Sequence, residues 1–254
     1  MAQLKMPALF VGHGSPMNAV EDNEFSQAWR GLGRSLPRPT AIVCVSAHWE
    51  TLESAVTAVP EPKTIHDFFG FPEELNQKEY PAAGSPDLAA RVQQLTGAQA
   101  DLKWGLDHGA WSVLCRMYPQ ADIPVVQLSL DRLKTAQQHY DFARQLQSLR
   151  EEGVLILGSG NIVHNLRVVI FEDTAYDWAV EFDQQVKRWI VNGDHQPIIR
   201  YESQGRAAAL AVNTAEHYLP LLYVLGLQQP DDPVKFHTEK VTYGSLSMRC
   251  VQIG

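Results

Sequence analysis

The chain has 254 residues, of which 45% are hydrophobic and 20% are charged, and this balance excludes disorder over most of its length. Its net charge of -8 argues against a nucleic acid or an anionic membrane as partner, because the average surface would repel either. No apolar run reaches the roughly 20 residues that span a bilayer, and the first residues lack the features of a secretory signal. The three cysteines form no CxxC pair, which fits a reducing compartment and excludes a cysteine zinc site. We therefore expect a cytoplasmic protein that acts on a small molecule.

Four short apolar segments rich in β-branched residues predict strands that are buried on both faces, as in a parallel sheet. They are residues 8–11, 41–46, 123–128 and 154–157. Helical periodicity predicts two clear helices, over residues 135–150 and 174–191, and each opens with a capping-box spacing. The alternating tail at 241–253 predicts a late antiparallel or edge strand. The sequence therefore predicts a single α/β domain over residues 1–254, with a layered, largely parallel sheet and helices on both faces.

A long segment of weak periodicity, residues 59–86, contains several Pro and Gly residues and the cluster IHDFFGFPEE. Loops of this length in compact domains are often lids or binding loops. We therefore expect the residues around this cluster to border a ligand pocket, namely His66, Asp67, Phe68 and Phe69.

Three histidines, His13, His48 and His164, each lie just past the carboxyl end of a predicted buried strand. In open α/β sheets ligands bind at that edge, so the three imidazoles could converge there. Neutral imidazole is a common ligand of transition metals. Taken singly, each histidine could instead cap a strand end, and Gly12 with Gly14 could simply serve a tight turn.

The sequence GSGN at residues 158–161 has a second interpretation, because its backbone amides could form a nest for an anion such as phosphate. Its spacing is neither GxxxxGK[ST] nor GxGxxG, so it does not indicate a nucleotide site.

His217 is a further candidate and stands at a predicted helix entrance with Glu216 beside it. Pro220 suits the start of the following helix, and Asn213 with Glu216 has capping-box spacing, which gives the carboxylate a structural alternative. Adjacent side chains at such a position diverge, so we expect only one of the two to reach a metal.

His108 lies where an irregular segment meets a predicted helix over residues 110–118, and it could cap that helix together with Asp107. The remaining histidines are interpreted as surface or packing residues: His66, His139, His195 and His237. Among these, His66 is also a candidate for substrate contact because it lies in the long loop.

The motifs GHGSPMNA, SAHWE, LDHGAW, GSGNIVHNLR and EHYLPLLYVLG, in this order over nearly the whole chain, resemble the class III extradiol ring-cleavage dioxygenases, specifically the 4,5-DOPA dioxygenase branch. The resemblance implies one divalent metal ion at the strand ends, with His13 and His48 as two of its ligands. His217, or its neighbour Glu216, falls at the remaining ligand position. His164 and His108 match the family's other active-site histidines.

The resemblance also implies the chemistry, which is the opening of a catechol ring with O2. For DOPA, cleavage between carbons 4 and 5 gives a seco-DOPA semialdehyde. Fe(II) is expected for turnover, while an all-histidine set that includes His164 suits Zn(II) as the bound ion. His164 therefore has two interpretations, a base in the iron enzyme or a fourth ligand in a zinc form. Ser15, His66 and Ser159 are the candidate substrate contacts.

Two alternatives stay open at this stage. Histidines at the edge of an α/β sheet can equally activate water, which would make the chain a zinc-dependent hydrolase. A non-catalytic anion- or metal-binding module built on residues 158–161 is the other. The sequence gives no prediction of the oligomeric state.

Overall fold

The computed structural model describes residues 5–254 and contains one mixed sheet of eight strands together with a separate two-stranded ribbon, both counted over those residues. The strands are β1 Ala8–Gly12, β2 Ala41–Thr51, β3 Ala55–Thr57, β4 Gln99–Asp101, β5 Val125–Asp131, β6 Val154–Gly160, β7 Val234–His237, β8 Val241–Thr242, β9 Leu246–Ser247 and β10 Cys250–Ile253. The large sheet has the order β4-β3-β5-β2-β6-β1-β10-β7. Its centre, β5-β2-β6-β1, is parallel, and β10 runs antiparallel to both β1 and β7.

All four predicted strands are present, and the predicted antiparallel strand near the C-terminus is β10. The prediction of one strand over 241–253 is wrong in its extent, because this segment holds three short strands. Gly244 separates the first two with φ of +75°, a left-handed conformation that interrupts a strand. Since β10 lies between β1 and β7, the edge of the sheet is β7 instead.

Ten α-helices occur within the described residues. They are α1 Glu24–Ser35, α2 Glu73–Asn76, α3 Pro86–Thr96, α4 His108–Met117, α5 Ala136–Arg144, α6 Gln147–Glu151, α7 Asp177–Val191, α8 Gln196–Ile199, α9 Gly205–Ala211 and α10 Leu219–Leu225. Short 3₁₀ helices cover Pro16–Ala19, Leu166–Val168 and Tyr201–Ser203.

Two predicted helices need correction. The capping box of Thr135 with Gln138 is confirmed, but the helix over 135–150 is two helices, since buried Leu146 leaves helical dihedrals at φ -86° and ψ 1°. The helix over 174–191 begins only at Asp177. The backbone before Asp177 bonds to another segment instead of continuing the helix. The carbonyl of Thr174 accepts from the amide of Gly244 at 2.8 Å, and the amide of Tyr176 donates to the carbonyl of Gly244 at 2.9 Å.

Helices cover both faces of the sheet because neighbouring strand residues point to opposite sides. From β1, Leu9 packs into a core that includes Trp29 of α1 and Trp111 of α4. From the same strand, Phe10 packs into a second core formed with α5, α7 and α10, which includes Phe182. The arrangement leaves the ends of the strands as the place where irregular segments meet.

The three cysteines are free and buried, as expected for small apolar residues. Within residues 5–254, no helix has both the length and the apolar character needed to cross a bilayer.

Candidate metal centre and active site

Four histidines meet at the carboxyl end of the parallel strands, where the sheet edge was predicted to bind a ligand. His13 follows β1 directly, and His164 lies four residues beyond β6. His217 immediately precedes the residue that caps α10, as predicted for a helix entrance. The ring centroids of His48 and His217 are 4.9 Å apart, and those of His13 and His217 are 5.3 Å apart.

His48 reaches this cluster through an irregularity in β2. The prediction that β2 ends at Ser46 is wrong, since the strand continues to Thr51. However, its pairing with β5 shifts register between Val45 and Glu50. Such bulges re-aim side chains and are frequent beside active sites. The histidine therefore lies inside the strand and still projects over the sheet edge.

His217 comes close because β6 carries glycine where the two segments touch. A Cβ atom at Gly160 would lie 2.1 Å from the carbonyl oxygen of His217, well inside van der Waals contact. The amide of Asn161 donates to that same carbonyl at 2.8 Å. Gly158 and Gly160 pair within the sheet, opposite Phe10 and Gly12. The glycines of this motif therefore serve close packing, and the anion nest predicted as an alternative is absent from this described segment.

The proton on His13 can be assigned from its neighbours. The Ser159 hydroxyl donates to the carbonyl of Gly109 at 2.5 Å, so its oxygen accepts from Nδ1 of His13 at 3.0 Å. With the proton on Nδ1, the Nε2 atom of His13 carries a lone pair. That atom lies 3.2 Å from Nε2 of His48. Two ligand nitrogens at about 2.05 Å from a tetrahedral metal ion would be about 3.3 Å apart, which matches this spacing.

A carboxylate faces each of the other two rings, at hydrogen-bond distance for His217 and just beyond it for His48. Nδ1 of His217 lies 3.0 Å from Oε1 of Glu216, and Nδ1 of His48 lies 3.6 Å from Oδ2 of Asp67. Metal-binding histidines usually donate their second nitrogen to such an acceptor, which fixes the ring. One donor nitrogen from each of His13, His48 and His217 lies within 4.8 Å of the others. This donor set fits a transition-metal ion.

The electrostatics keep these rings neutral. Burial, and then the neighbouring imidazoles, hold the pKa of His13 and of His217 well below 6.5. Burial, followed by the proximity of His108, lowers the pKa of His48 to about 3. Neutral rings keep their lone pairs, and a cation can bind them without first displacing protons.

His164 stacks on His217 with ring centroids 3.5 Å apart and planes within 6°. It belongs to a second group of possible ligands, with Glu216 and His217, and not to the group that contains His13 and His48. Burial lowers its pKa to about 4. His164 is therefore a neutral ring on the wall of the same site.

His108 is the first residue of α4, and Asp107 caps that helix as predicted by accepting from Ala110 N at 3.1 Å. Asp67 contacts His108 twice: Oδ1 accepts from its backbone amide at 2.9 Å and lies 3.0 Å from its Nδ1. The ring of His108 lies 3.8 Å from that of His48. Asp67 thus lies between His48, a predicted ligand, and His108, a predicted active-site histidine, a role that no sequence pattern indicated.

These histidines line one cavity of about 520 Å³. Ser15 lines it as predicted, whereas Ser159 and His66 are not among its lining residues. Ser159 is fully buried behind His13, and His66 contacts the carbonyl of Lys78 at 2.9 Å and the ring of Phe68. The lining residues that the sequence did not indicate as pocket residues are Gly14, Pro16, Met17, Glu21, Phe71, Leu166, Val169, Phe171, Tyr243 and Leu246. They come from distant segments, which only tertiary structure brings together.

A larger groove of about 650 Å³ lies elsewhere, beside the start of α5 and the segment around Tyr201. No histidine or cysteine is among its described lining residues, so the smaller cavity is the better candidate for chemistry.

Comparison with known proteins agrees with this geometry. Residues 7–250 match the family described as the catalytic LigB subunit of aromatic ring-opening dioxygenase. A 4,5-DOPA dioxygenase extradiol from Escherichia coli K12 is 48% identical over 100% of this chain and 97% of its own length. A 4,5-DOPA dioxygenase extradiol from Beta vulgaris is 40% identical over 85% of each chain.

A crystal structure of an uncharacterized protein from Escherichia coli K12 superposes with a TM-score of 0.85 and 45% identity, covering 98% of this chain and 100% of that one. Neither the family match nor the named relatives favour the zinc-hydrolase alternative. The chain belongs to the family of catalytic LigB subunits and is a metal-dependent, extradiol ring-cleaving dioxygenase.

Proposed function

We propose that the chain is one catalytic domain that binds a single divalent metal ion through His13, His48 and His217 and opens DOPA between carbons 4 and 5 with O2, giving a seco-DOPA semialdehyde. The observation that carries this proposal is the grouping of three neutral imidazoles, each with its Nδ1 atom facing an acceptor. DOPA is proposed because two relatives with 48% and 40% identity bear that substrate in their names. The free, buried thiols fit a place in the reducing cytoplasm.

His217, and not Glu216, is proposed as the third ligand, because Oε1 of the carboxylate already accepts from Nδ1 of the imidazole. Fe(II) is proposed for turnover, since, when bound, it supplies a route for electron density between the catechol ring and O2. Zn(II) suits the same nitrogen donors but lacks this redox chemistry. Its presence in a purified sample would therefore not identify the working ion.

The chain's own contribution is to orient the catechol and move protons. One phenolic proton must leave and a later step needs one returned, which suits histidine near neutral pH. We assign the accepting role to His164, whose lowered pKa leaves it neutral on the cavity wall. We assign the donating role to His108, because its Nδ1 lies 3.0 Å from Oδ1 of Asp67, so that Nε2 is the nitrogen proposed to face the substrate.

The substrate contacts follow from what lines the cavity. Phe68 and Phe71 form an apolar wall suited to an aromatic ring, and Ser15 adds a hydroxyl. Ser159 supports His13 from behind and is proposed as a positioning residue. His66 packs behind Phe68 and is proposed to position that ring.

The proposal is tested by reconstituting metal-free protein anaerobically with Fe(II) or with Zn(II), adding DOPA and then admitting O2. The Fe(II) form is expected to consume O2 and form a yellow ring-opened product, and the Zn(II) form is expected to do neither. Absence of O2 uptake by the Fe(II) form with DOPA and with 4-methylcatechol would contradict the proposal.

A further inference from the structure

The charged residues of the active-site cavity are all acidic. Among the described lining residues, Glu21 and Asp67 carry carboxylates, and none is Lys or Arg. Asp67 is committed to His108 and His48. Glu21 is therefore the one charged side chain of the lining that is not part of the histidine cluster.

Glu21 is held in place through its backbone, while its carboxylate stays available. Its amide donates to the carbonyl of Met17 at 2.8 Å, and its own carbonyl accepts from the guanidinium of Arg116 at 2.9 Å. Among residues 5–254, the one hydrogen-bond contact of the carboxylate is a long one from Asn23 Nδ2, at 3.4 Å. No Lys or Arg within residues 5–254 forms an ion pair with it.

A chain of side chains links this carboxylate to the metal centre. Asn18 donates to the carbonyl of His13 at 3.0 Å, and Asn23 donates both to Oδ1 of Asn18 at 2.8 Å and to Glu21. Glu21 therefore belongs to the same structural unit as the first histidine.

The charge balance of the cavity disfavours a second anion. A divalent ion at the three histidines would already be balanced by two carboxylates, because Asp67 lies 3.6 Å from Nδ1 of His48 and Glu216 lies 3.0 Å from Nδ1 of His217. A catechol that has lost a proton adds further negative charge. With Glu21 also present and no basic side chain in the described lining, a carboxylate arm gains no partner and an ammonium arm gains one.

We propose that Glu21 is a specificity-determining residue that selects catechols with an ammonium-bearing side arm over those with a carboxylate arm. The inference rests on the proposed function, since it assumes that a catechol ring binds in this cavity. For DOPA it assigns the ammonium group to Glu21 and leaves the carboxylate toward solvent. An uncharged arm of the same length is expected to fall between the two.

The test compares kcat/KM of the Fe(II)-loaded protein for three catechols that share a two-carbon arm: dopamine, 4-ethylcatechol and 3-(3,4-dihydroxyphenyl)propionate. The wild-type protein is expected to prefer dopamine over the propionate. In Glu21→Gln the ratio of the two should fall about fivefold, the size of an exposed ion pair, mainly through KM. In Glu21→Lys the preference should reverse.

Glu74→Gln is the matched control, because Glu74 is an exposed glutamate of α2 that does not line the cavity. It removes the same charge and is expected to leave the ratio unchanged. If Glu74→Gln lowers the ratio as much as Glu21→Gln, or if neither Glu21 variant changes it, the assignment to Glu21 is overturned. If wild-type protein fails to open even 4-ethylcatechol, the proposed function itself fails, and the inference with it.

Discussion

Two buried histidines of this protein show how little burial alone says about function. His13, at the end of β1, and His139, in α5, are both inaccessible to solvent, and burial lowers the pKa of both. Nδ1 of His139 contacts the hydroxyl of Tyr223 at 3.0 Å, and its Nε2 has no hydrogen-bond partner among the described residues. Nε2 of His13 instead faces Nε2 of His48. The convergence of further nitrogen donors therefore separates His13, the proposed metal ligand, from the core histidine His139.

Removing a proposed ligand should have the largest effect on metal binding and activity. In His217→Ala the donor set loses one of three nitrogens, so we expect metal affinity to fall by more than about 100-fold. This exceeds the loss expected when a residue that only supports a ligand is removed. O2 uptake should fall to background. Metal content after gel filtration and O2 consumption measure both effects.

His139→Gln is the control for that variant, because it removes a buried histidine that lies outside the cluster. It should keep one metal ion per chain and its activity. Equal metal loss in the two variants would refute the distinction between the two kinds of histidine.

His108 lines the cavity but is not proposed as a ligand, so its removal should lower catalysis without lowering metal content. In His108→Gln we expect kcat to fall by about 10² to 10⁴, the usual contribution of general acid-base catalysis, with metal content unchanged. His237→Gln, on the edge strand β7, is the matched control and should retain the wild-type kcat. Loss of metal from His108→Gln would instead identify His108 as a ligand.

The core histidine, His139, should make the free energy of unfolding depend on pH. Burial lowers its pKa to about 4 in the folded protein, against an ordinary value of 6.5 in the unfolded chain. As the pH falls, His139 is therefore protonated in the unfolded chain before it is protonated in the folded protein. The neutral histidine therefore contributes about 3 kcal/mol to the free energy of unfolding above pH 6.5, and this contribution is lost progressively toward pH 4.

His139→Gln removes this titration. Urea unfolding of the metal-loaded proteins between pH 7 and pH 4 should show the wild-type protein losing stability relative to the variant. A stability difference that is constant over this range would contradict the account.

The smallest expected effect concerns the hydroxyl behind His13. In Ser159→Ala, Nδ1 of His13 loses its acceptor, so the ring orientation and tautomer are no longer fixed, and metal affinity should fall about 10-fold. Ser129→Ala controls for general destabilisation, because it removes another buried hydroxyl, which bonds to Thr51 and to the amide of Ala55. Competition with a chromophoric chelator measures the affinity. An unchanged affinity in Ser159→Ala would show that the hydroxyl does not orient the ligand.

Much of the fold was predictable because its strands are continuous apolar runs. The four central strands and the histidines near their ends followed from composition and spacing alone. Two features did not. The register shift that carries His48 depends on pairing with β5, and the late start of α7 depends on backbone bonds with Gly244.

The site was predictable as a set of histidines, but not as a network. Asp67 was expected only as a pocket residue, and its contacts with His48 and His108 depend on how the long loop folds over the sheet edge. Ser159 was expected to touch substrate, yet it lies behind His13, because β6 pairs alongside β1 and places Ser159 opposite Val11. Glu21 carried no local signal, since an exposed glutamate is the commonest kind of surface residue.

We infer that the convergence of nitrogen donors, and not burial, marks the metal site. An anomalous-scattering map of crystals grown with Fe(II) or Zn(II) tests it most directly. We predict one peak with Nε2 of His13, His48 and His217 at about 2.0 to 2.3 Å. A peak held instead by Asp67 with His108, or by Glu216 with His164, would contradict the account.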